Sequence, residues 1–482
     1  MNAIAAPAVS RATVLRRDEF VAHLHGLVPV GDVVHDEQGR HVYAGDAFGA
    51  YQALPLAVVL PATVREVSQV LRYCYEVGLK VFPRGAGTSL VGGAVAAEDG
   101  IVLCLSRMNN VLEVDPVNRM VRVEAGITNA AVSTAVAGLG LRFAPDPASW
   151  QASTIGGNIA TNAGGARGMS VGATGRHVLA LKIVLVDGEV IELGGGELEA
   201  SGLDLIGLVV GAEGMLGVVV EATLRVVPEP ETRRLVVLGF QSVLSAVACA
   251  GKILSSVIVP TALEVLDREV IAVCEDFGGI GLPRDVEAVL VVEVEGSAEE
   301  AEQLGAAVLQ AADAYAPVGH LEIADQAQVA RSWATFNAAF TGLGRLGTVR
   351  CVDIAVPPAK LVEAMTEIGS IATRYGLRGA SMCRAAEGIV RSVLLYDGSN
   401  SEDIGRVADA MADVARMCAQ IGGVLAGEHG VGVAKRDVMS YQLAESDLVF
   451  GMRLKSTFDT EWLLSNGKVY PLADQVVQSA VV

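Results

Sequence analysis

Residues 81–93, V-F-P-R-G-A-G-T-S-L-V-G-G, have the residue types of a phosphate cradle. Gly85 and Gly87 admit positive φ and carry no side chain, so successive backbone N–H groups can converge on an anion, and Thr88 and Ser89 add hydroxyl donors. A single loop of this kind is more often an ordinary strand-to-loop turn. It is neither a Walker loop, since no G-K-[ST] closes it, nor a dinucleotide fingerprint, since Leu90 stands where the third glycine belongs. The G-x-G-x-x-G at Gly342, Gly344 and Gly347 precedes an apparent strand and reads as a chance match. Two further tracts change the balance. Residues 153–168, S-T-I-G-G-N-I-A-T-N-A-G-G-A-R-G, hold five glycines among small side chains, as close backbone packing or the approach of a planar ligand requires. Residues 211–217, G-A-E-G-M-L-G, form the third.

The elements that must position these tracts are readable around them. Thr63 caps a helix with Glu66 three residues on, Val64, Val67, Leu71 and Cys74 fall at helical spacing, and Gly78 stops it. Residues 79–82 read as a short buried strand ended by Pro83, which puts the first glycines at a strand's end. Strands are expected at 101–105, 111–114 and 120–124, followed by a short helix from Thr128 to near Gly138. Pro145-Asp146-Pro147-Ala148-Ser149 excludes regular structure, and Asp187-Gly188 signals a hairpin before the alternating strand 218–226. Past Pro228-Glu229-Pro230, strands at 235–240, 289–295 and 350–356 alternate with helices near 298–312, 358–374 and 402–421 and suggest a second lobe.

A length of 482 residues implies more than one core, and the composition is that of a globular protein. The formal charge of −19 argues against nucleic-acid or anionic-membrane binding, so an anionic small substrate would be drawn in by particular arginines. The N-terminus lacks a basic segment before an apolar run, and no uncharged stretch has membrane-spanning length; the expectation is a cytoplasmic protein without a transmembrane segment. Seven scattered cysteines without a C-x-x-C speak against iron–sulfur ligation and a disulfide framework.

R-G-A-G-T-S, P-D-P-A-S-W-Q-A-S-T-I-G-G-N-I-A-T-N-A-G-G and G-A-E-G-M-L-G, in this order and spacing, resemble the FAD-binding domain of the vanillyl-alcohol-oxidase superfamily. Within it the chain is similar to flavin-linked D-2-hydroxy-acid dehydrogenases, the group that includes the flavin subunit of bacterial glycolate oxidase. The resemblance implies an α+β protein in three parts. These are an FAD-binding domain over 1–229 with its motif-bearing core at 46–229, a ferredoxin-like cap over 230–425, and a C-terminal segment, 426–482, returning to the flavin site. It implies an FAD diphosphate over Arg84, Gly85, Ala86, Gly87, Thr88 and Ser89. The rest of the cofactor would lie along Pro145, Asp146, Ser149, Thr154, Gly156, Gly157, Asn158, Asn162, Gly164 and Gly165, with Gly214, Gly217, Val218 and Asn466 nearby. With no histidine in the first loop, the FAD is expected to be non-covalent. Gly427-Glu428-His429-Gly430 matches the family's G-E-H-G, which implies His429 as the base for the substrate hydroxyl and Glu428 as the metal-side carboxylate.

The chain departs from that pattern where the family has H-A-G-D-G-N-x-H. Here the segment is R-A-A-E-G-I-V-R, so Arg384 and Arg391 replace both metal histidines and no metal site is expected. Phe336 stands at the place of an arginine thought to clamp the substrate carboxylate, with Arg345 and Arg350 nearby, and the flavin-side asparagine is displaced to Asn466. Two arginines facing Glu428 would leave a net positive site for an anionic substrate. Two readings stay open: a 2-hydroxy-acid dehydrogenase using His429, Glu428, Arg384 and Arg391, or a non-catalytic or electron-relay FAD subunit. Either would pass electrons to a quinone, a cytochrome, oxygen or a partner subunit, and could form an oligomer.

Overall fold

A computed structural model describes residues 17–195 and 202–471; the N-terminal reading and the outer ends of the first and last expected domains lie outside the described residues. Helix Val64–Val77 begins where the Thr63 hydroxyl accepts the Glu66 N–H at 3.2 Å and ends at Gly78, φ 70°, burying Val67, Val70, Leu71 and Cys74. The Glu66 carboxylate reaches past Thr63 and accepts from Ala62 N–H at 2.7 Å. The next strand, Lys80–Arg84, runs through Pro83 instead of stopping before it. Proline is tolerated there because this is the outer strand of a four-stranded sheet ordered Val33–Val34, Ala57–Val59, Gly100–Cys104, Lys80–Arg84. A five-stranded antiparallel sheet, ordered Val111–Asp115, Met120–Glu124, Val218–Arg225, Val178–Val184, Val190–Gly194, shares one apolar core with it.

The second lobe is built on one seven-stranded sheet with antiparallel pairings throughout. Its order is Gly319–Ile323, Thr232–Phe240, Ala288–Gly296, Ala262–Asp267, Arg378–Arg384, Ile389–Tyr396, Thr348–Ala355. Counted along the chain, the first four strands stand 4-1-3-2, the ferredoxin-like order, and the last three stand 2-3-1, the same order without its fourth strand. Two ferredoxin-like halves thus share a sheet through the pairing of Glu264 with Arg384.

Strand residues alternate between faces. One face, with Val236, Leu263, Leu290, Val352 and Cys383, is covered by helices Val243–Leu254, Ala298–Ala312, Leu361–Arg374 and Ser401–Gln420. The other, with Val237, Ala262, Val291, Met382 and Val393, packs on helices Arg268–Phe277 and Gln326–Leu343. The same alternation sends Glu264, Glu293, Asp353, Arg384 and Arg391 to this second face, each of them buried.

Beyond the cap the chain rejoins the first lobe: Val81 N–H donates to Leu463 O at 2.9 Å and Ser465 N–H to Val81 O at 3.0 Å. Lys455, 1% exposed, holds this return by donating to Asp459, to Met215 O at 2.6 Å and to Leu464 O at 3.0 Å. Lys455→Met strands the buried Asp459 carboxylate and should cost about 3–5 kcal/mol. The measure is the denaturant midpoint of unfolding; an unchanged midpoint would show that the ion pair does not anchor the return.

Candidate active site

A cleft of about 390 Å³ runs between the lobes. The first tract lines it with Arg84, Gly85, Ala86, Gly87, Thr88 and Ser89; the second with Ser149, Ser153, Thr154, Gly156, Gly157, Asn158 and Gly164; the third with Gly214, Gly217 and Val218. The tracts are glycine-rich for measurable reasons. A Cβ on Gly85 would stand 2.1 Å from Thr154 Oγ1, and Gly87 sits at φ 74°. Gly85 thus serves by its missing side chain, and of the two only Gly87 has a positive φ. Ser153 Oγ and Asn158 Nδ2 are buried in this wall without a partner among the described residues, polar atoms that a ligand would satisfy. Donors, a glycine-lined surface and unsatisfied polar atoms together fit FAD.

Several expected residues support the cleft from behind instead of lining it. Pro145 O accepts from Asn129 Nδ2 at 2.9 Å, Asp146 binds Arg167, and a Cβ on Gly165 would meet Asp146 at 2.2 Å. Asn162 ends helix Ile155–Thr161 at φ 48° and accepts Gly175 N–H at 2.8 Å. Asn466 donates to Trp462 O at 2.8 Å. Both asparagines are occupied by local backbone, which is why neither reaches the cleft.

The opposite wall is the cap: Asn337, Phe340 and Thr341 from helix Gln326–Leu343, Arg391, and the loop residues Glu428 and His429. Behind it, Arg384 Nη1 stands 2.5 Å from Glu428 Oε2 and its Nε 3.3 Å from Glu264 Oε1. Arg391 Nη2 stands 2.8 Å from Glu264 Oε1 and its Nη1 3.6 Å from Glu428 Oε1. The expected net positive site is therefore corrected: Glu264 supplies a second carboxylate, and two guanidiniums balance two carboxylates. Burial would raise the Glu428 carboxyl, but Arg384 and Arg391 outweigh it and hold it below the ordinary range. Burial likewise opposes the Arg384 charge, and Glu428 and Glu264 more than offset it.

His429 is held between two carboxylates. Its Nδ1 lies 3.5 Å from Asp353 Oδ2 and its Nε2 3.7 Å from Glu428 Oε1. Asp353, 1% exposed, accepts from the N–H groups of Glu428 at 3.2 Å and His429 at 3.0 Å and from Lys435 Nζ at 3.0 Å. Burial works against its charge, yet His429, Lys435 and these donors hold its carboxyl far below the ordinary range. From the flavin lobe, the Glu213 carboxylate accepts Val431 and Gly432 N–H at 2.7 and 2.9 Å. Glu264, Asp353 and Glu213 were not singled out from the sequence. A lone acid inside an apolar strand, as in A-L-E-V-L or C-V-D-I-A, is the signal that marks the first two.

Phe336 packs into the cap core at 2% exposure, 5.6 Å from the Trp333 ring, so that position faces away from the cleft. Arg345 lies 4.5 Å over Phe277, and Arg350 donates to Ala434 O at 3.0 Å; neither lines the cleft.

Two family models match this chain: a FAD binding domain over residues 55–194, and the C-terminal domain of FAD linked oxidases over 229–469. Glycolate oxidase subunit GlcD of Escherichia coli strain K12 is 34% identical over 472 residues, 97% of this chain and 93% of that protein. The chain belongs to the FAD-linked oxidase family. A D-lactate dehydrogenase of Anaerostipes hadrus is 30% identical over 460 residues, 92% of this chain and 94% of that protein. In fold, substrate-bound p-cresol methylhydroxylase superposes with a TM-score of 0.78 at 14% identity, covering 94% of this chain and 97% of that one. The protein is thus an FAD-linked oxidoreductase, of the type that acts on CH–OH groups, with the vanillyl-alcohol-oxidase architecture.

The family pattern's divalent cation does not fit the residues present. Arg384 and Arg391 offer only donors, both remaining carboxylates are turned to them, and among the described residues no three His, Cys, Asp or Glu side chains gather as a ligand set.

Beside this cluster, burial pushes the Glu387 carboxyl up to about 7 against the pull of Arg384. Its unfolded value is about 4.3, so between these values the folded chain binds more protons and stability falls as pH rises. Glu387→Gln should therefore raise the urea midpoint at pH 8 and leave it unchanged at pH 4. An equal change at both pH values would sever the link to this carboxyl.

Proposed function

We propose that the protein oxidises a 2-hydroxy acid of the glycolate or D-lactate type, with a non-covalently held FAD and with His429 as the base. The observation that carries this reading is the imidazole on the cleft wall, its Nδ1 3.5 Å from Asp353. The Asp353 carboxylate beside Nδ1, which also meets Cys351 Sγ at 3.8 Å, favours the tautomer with its proton on Nδ1 and Nε2 free to take the hydroxyl proton of substrate. FAD supplies the acceptor for the hydride that leaves the same carbon, giving a 2-oxo acid. The imidazolium formed is offset by Asp353 on one side and Glu428 on the other. Asp353 also positions the loop through its backbone bonds to Glu428 and His429.

The names of the relatives support the substrate class, and the word subunit in the first supports partner subunits as electron acceptors. The cytoplasmic placement expected from the sequence accompanies this reading. The self-compensated charges of Arg384, Arg391, Glu264 and Glu428 favour a second reading, a flavoprotein subunit without turnover of its own.

His429→Gln should slow anaerobic flavin reduction by a 2-hydroxy acid about two to four orders of magnitude while FAD stays bound. Dialysis against a chelator should leave the parent rate unchanged. Normal reduction by the variant removes His429 from the mechanism, and loss of activity restored by a divalent ion removes the metal-free reading. Acid precipitation should leave the flavin in the supernatant; colour on the pellet would show a covalent link.

A further inference from the structure

Position 336 faces the core, so the carboxylate of a 2-hydroxy acid must be recognised elsewhere. Arg84 lies in the first glycine tract, its Nη1 given to Gly45 O at 2.8 Å and Ala94 O at 3.1 Å. Arg384, as buried as Arg391, does not line the cleft, and its Nη1 and Nε are committed to Glu428 and Glu264. Arg391 is different. It lines the cleft, its one hydrogen bond among the described residues runs from Nη2 to Glu264, and its buried Nε has no partner. Nη2 is given to Glu264 and Nη1 stands 3.6 Å from Glu428 Oε1, too long for a hydrogen bond, so the Nη1 donors are the ones left for an anion in the cleft although the side chain is only 2% exposed.

Its placement matches the substrate. Arg391 Nη1 and His429 Nε2 stand 3.6 and 3.7 Å from the same oxygen, Glu428 Oε1. The anion-binding group and the base are therefore neighbours, as the carboxylate and hydroxyl on adjacent carbons of a 2-hydroxy acid demand. Facing them on helix Gln326–Leu343, Asn337 and Thr341 stand four apart on one face and present an amide and a hydroxyl to the same cleft. Glu264, 1% exposed, fixes the guanidinium from behind and keeps it from swinging to Glu428 alone.

We propose that Arg391, with Asn337 and Thr341, forms the subsite for the substrate's carboxylate, and that Glu264 positions Arg391 for it. The assignment rests on the 2-hydroxy-acid reading for its ligand class, and its test does not require turnover.

Oxalate, a small carboxylate with no hydroxyl to oxidise, is titrated into the FAD-loaded protein and followed by the change in flavin absorption. The parent should bind it. Arg391→Lys keeps a positive charge beside Glu264 and loses the planar fork, and should weaken oxalate at least about tenfold. Asn337→Ala, on the open cleft wall, should weaken it about threefold to tenfold. FAD content should stay at the parent level in both. Anaerobic reduction is then compared for a 2-hydroxy acid and its 1,2-diol analogue: the acid's half-saturation rises in both variants and the diol's does not. No binding of oxalate to the parent, or equal binding by all three proteins, overturns the subsite. Oxalate binding that depends on Arg391 and Asn337 without flavin reduction by any hydroxy acid upholds the subsite and overturns the proposed reaction instead.

Discussion

Four buried charges, Glu264, Glu428, Arg384 and Arg391, have to neutralise one another, and the rest of this site follows from that constraint. Taking a guanidinium or carboxylate from water costs several kcal/mol after relaxation, which a partner at hydrogen-bond distance returns only if the geometry is held. The cap sheet holds it: Glu264 and Arg384 are direct cross-strand partners, and Arg391 stands opposite Asp353 on the next pair of strands. Strand alternation sends Glu264, Arg384, Arg391 and Asp353 to one face, and Glu428 reaches the two arginines from its loop. Removing any one would leave a buried charge unpaired. The cluster therefore behaves as one rigid body, and what it offers the cleft is the donors that its own carboxylates leave over.

The loop carrying Glu428 and His429 is fixed from both lobes by buried acids. Asp353 of the cap accepts its first two N–H groups, and Glu213 of the third glycine tract accepts those of Val431 and Gly432. Burial raises the Glu213 carboxyl and pushes the neighbouring Lys468 down to about 8, a pair held at the same junction. A third contact ties the lobes at the cleft's other margin. Arg167 of the second glycine tract donates to Glu293 at 2.6 and 2.8 Å and to Asp146, and Trp333 Nε1 donates to the same Glu293 at 2.5 Å. With three such ties the His429 imidazole is carried on a backbone whose donors are already spent, so its position is set before any ligand arrives.

Local chemistry made much of this legible in advance. Thr63, Gly78 and Thr128 act at helix ends where their types demand it, and the three glycine tracts do meet on one cleft. Pro83 was misleading because its effect depends on whether a strand is outermost, a property of the sheet and not of the residue. Asn162 and Asn466 stand off the cleft for a different reason: a short amide is as well satisfied by nearby backbone, Gly175 N–H for the first and Trp462 O for the second, as by a ligand. Glu264 lies 120 residues from Arg384 in the chain, and no spacing rule connects them. An acid within an apolar strand announces that a buried partner exists, without saying which.

Exchanging a pair of histidines for a pair of arginines is a change in what the site can do as well as in what fills it. A divalent cation with open coordination positions draws both oxygens of a substrate to one point and can lower the pKa of a bound hydroxyl. A guanidinium does the second only weakly, through space and not by coordination. It stays charged across the working pH range and recognises a planar anion through a fixed fork of donors. In the reading proposed above, Arg391 binds the carboxylate and His429 takes the hydroxyl proton, with Asp353 and Glu428 beside the imidazole to stabilise its protonated form. That division explains why Asp353 is held so firmly ionised by Lys435 and two backbone N–H groups. A proton taken up by the imidazole would be compensated by Asp353 on one side and by Glu428 on the other.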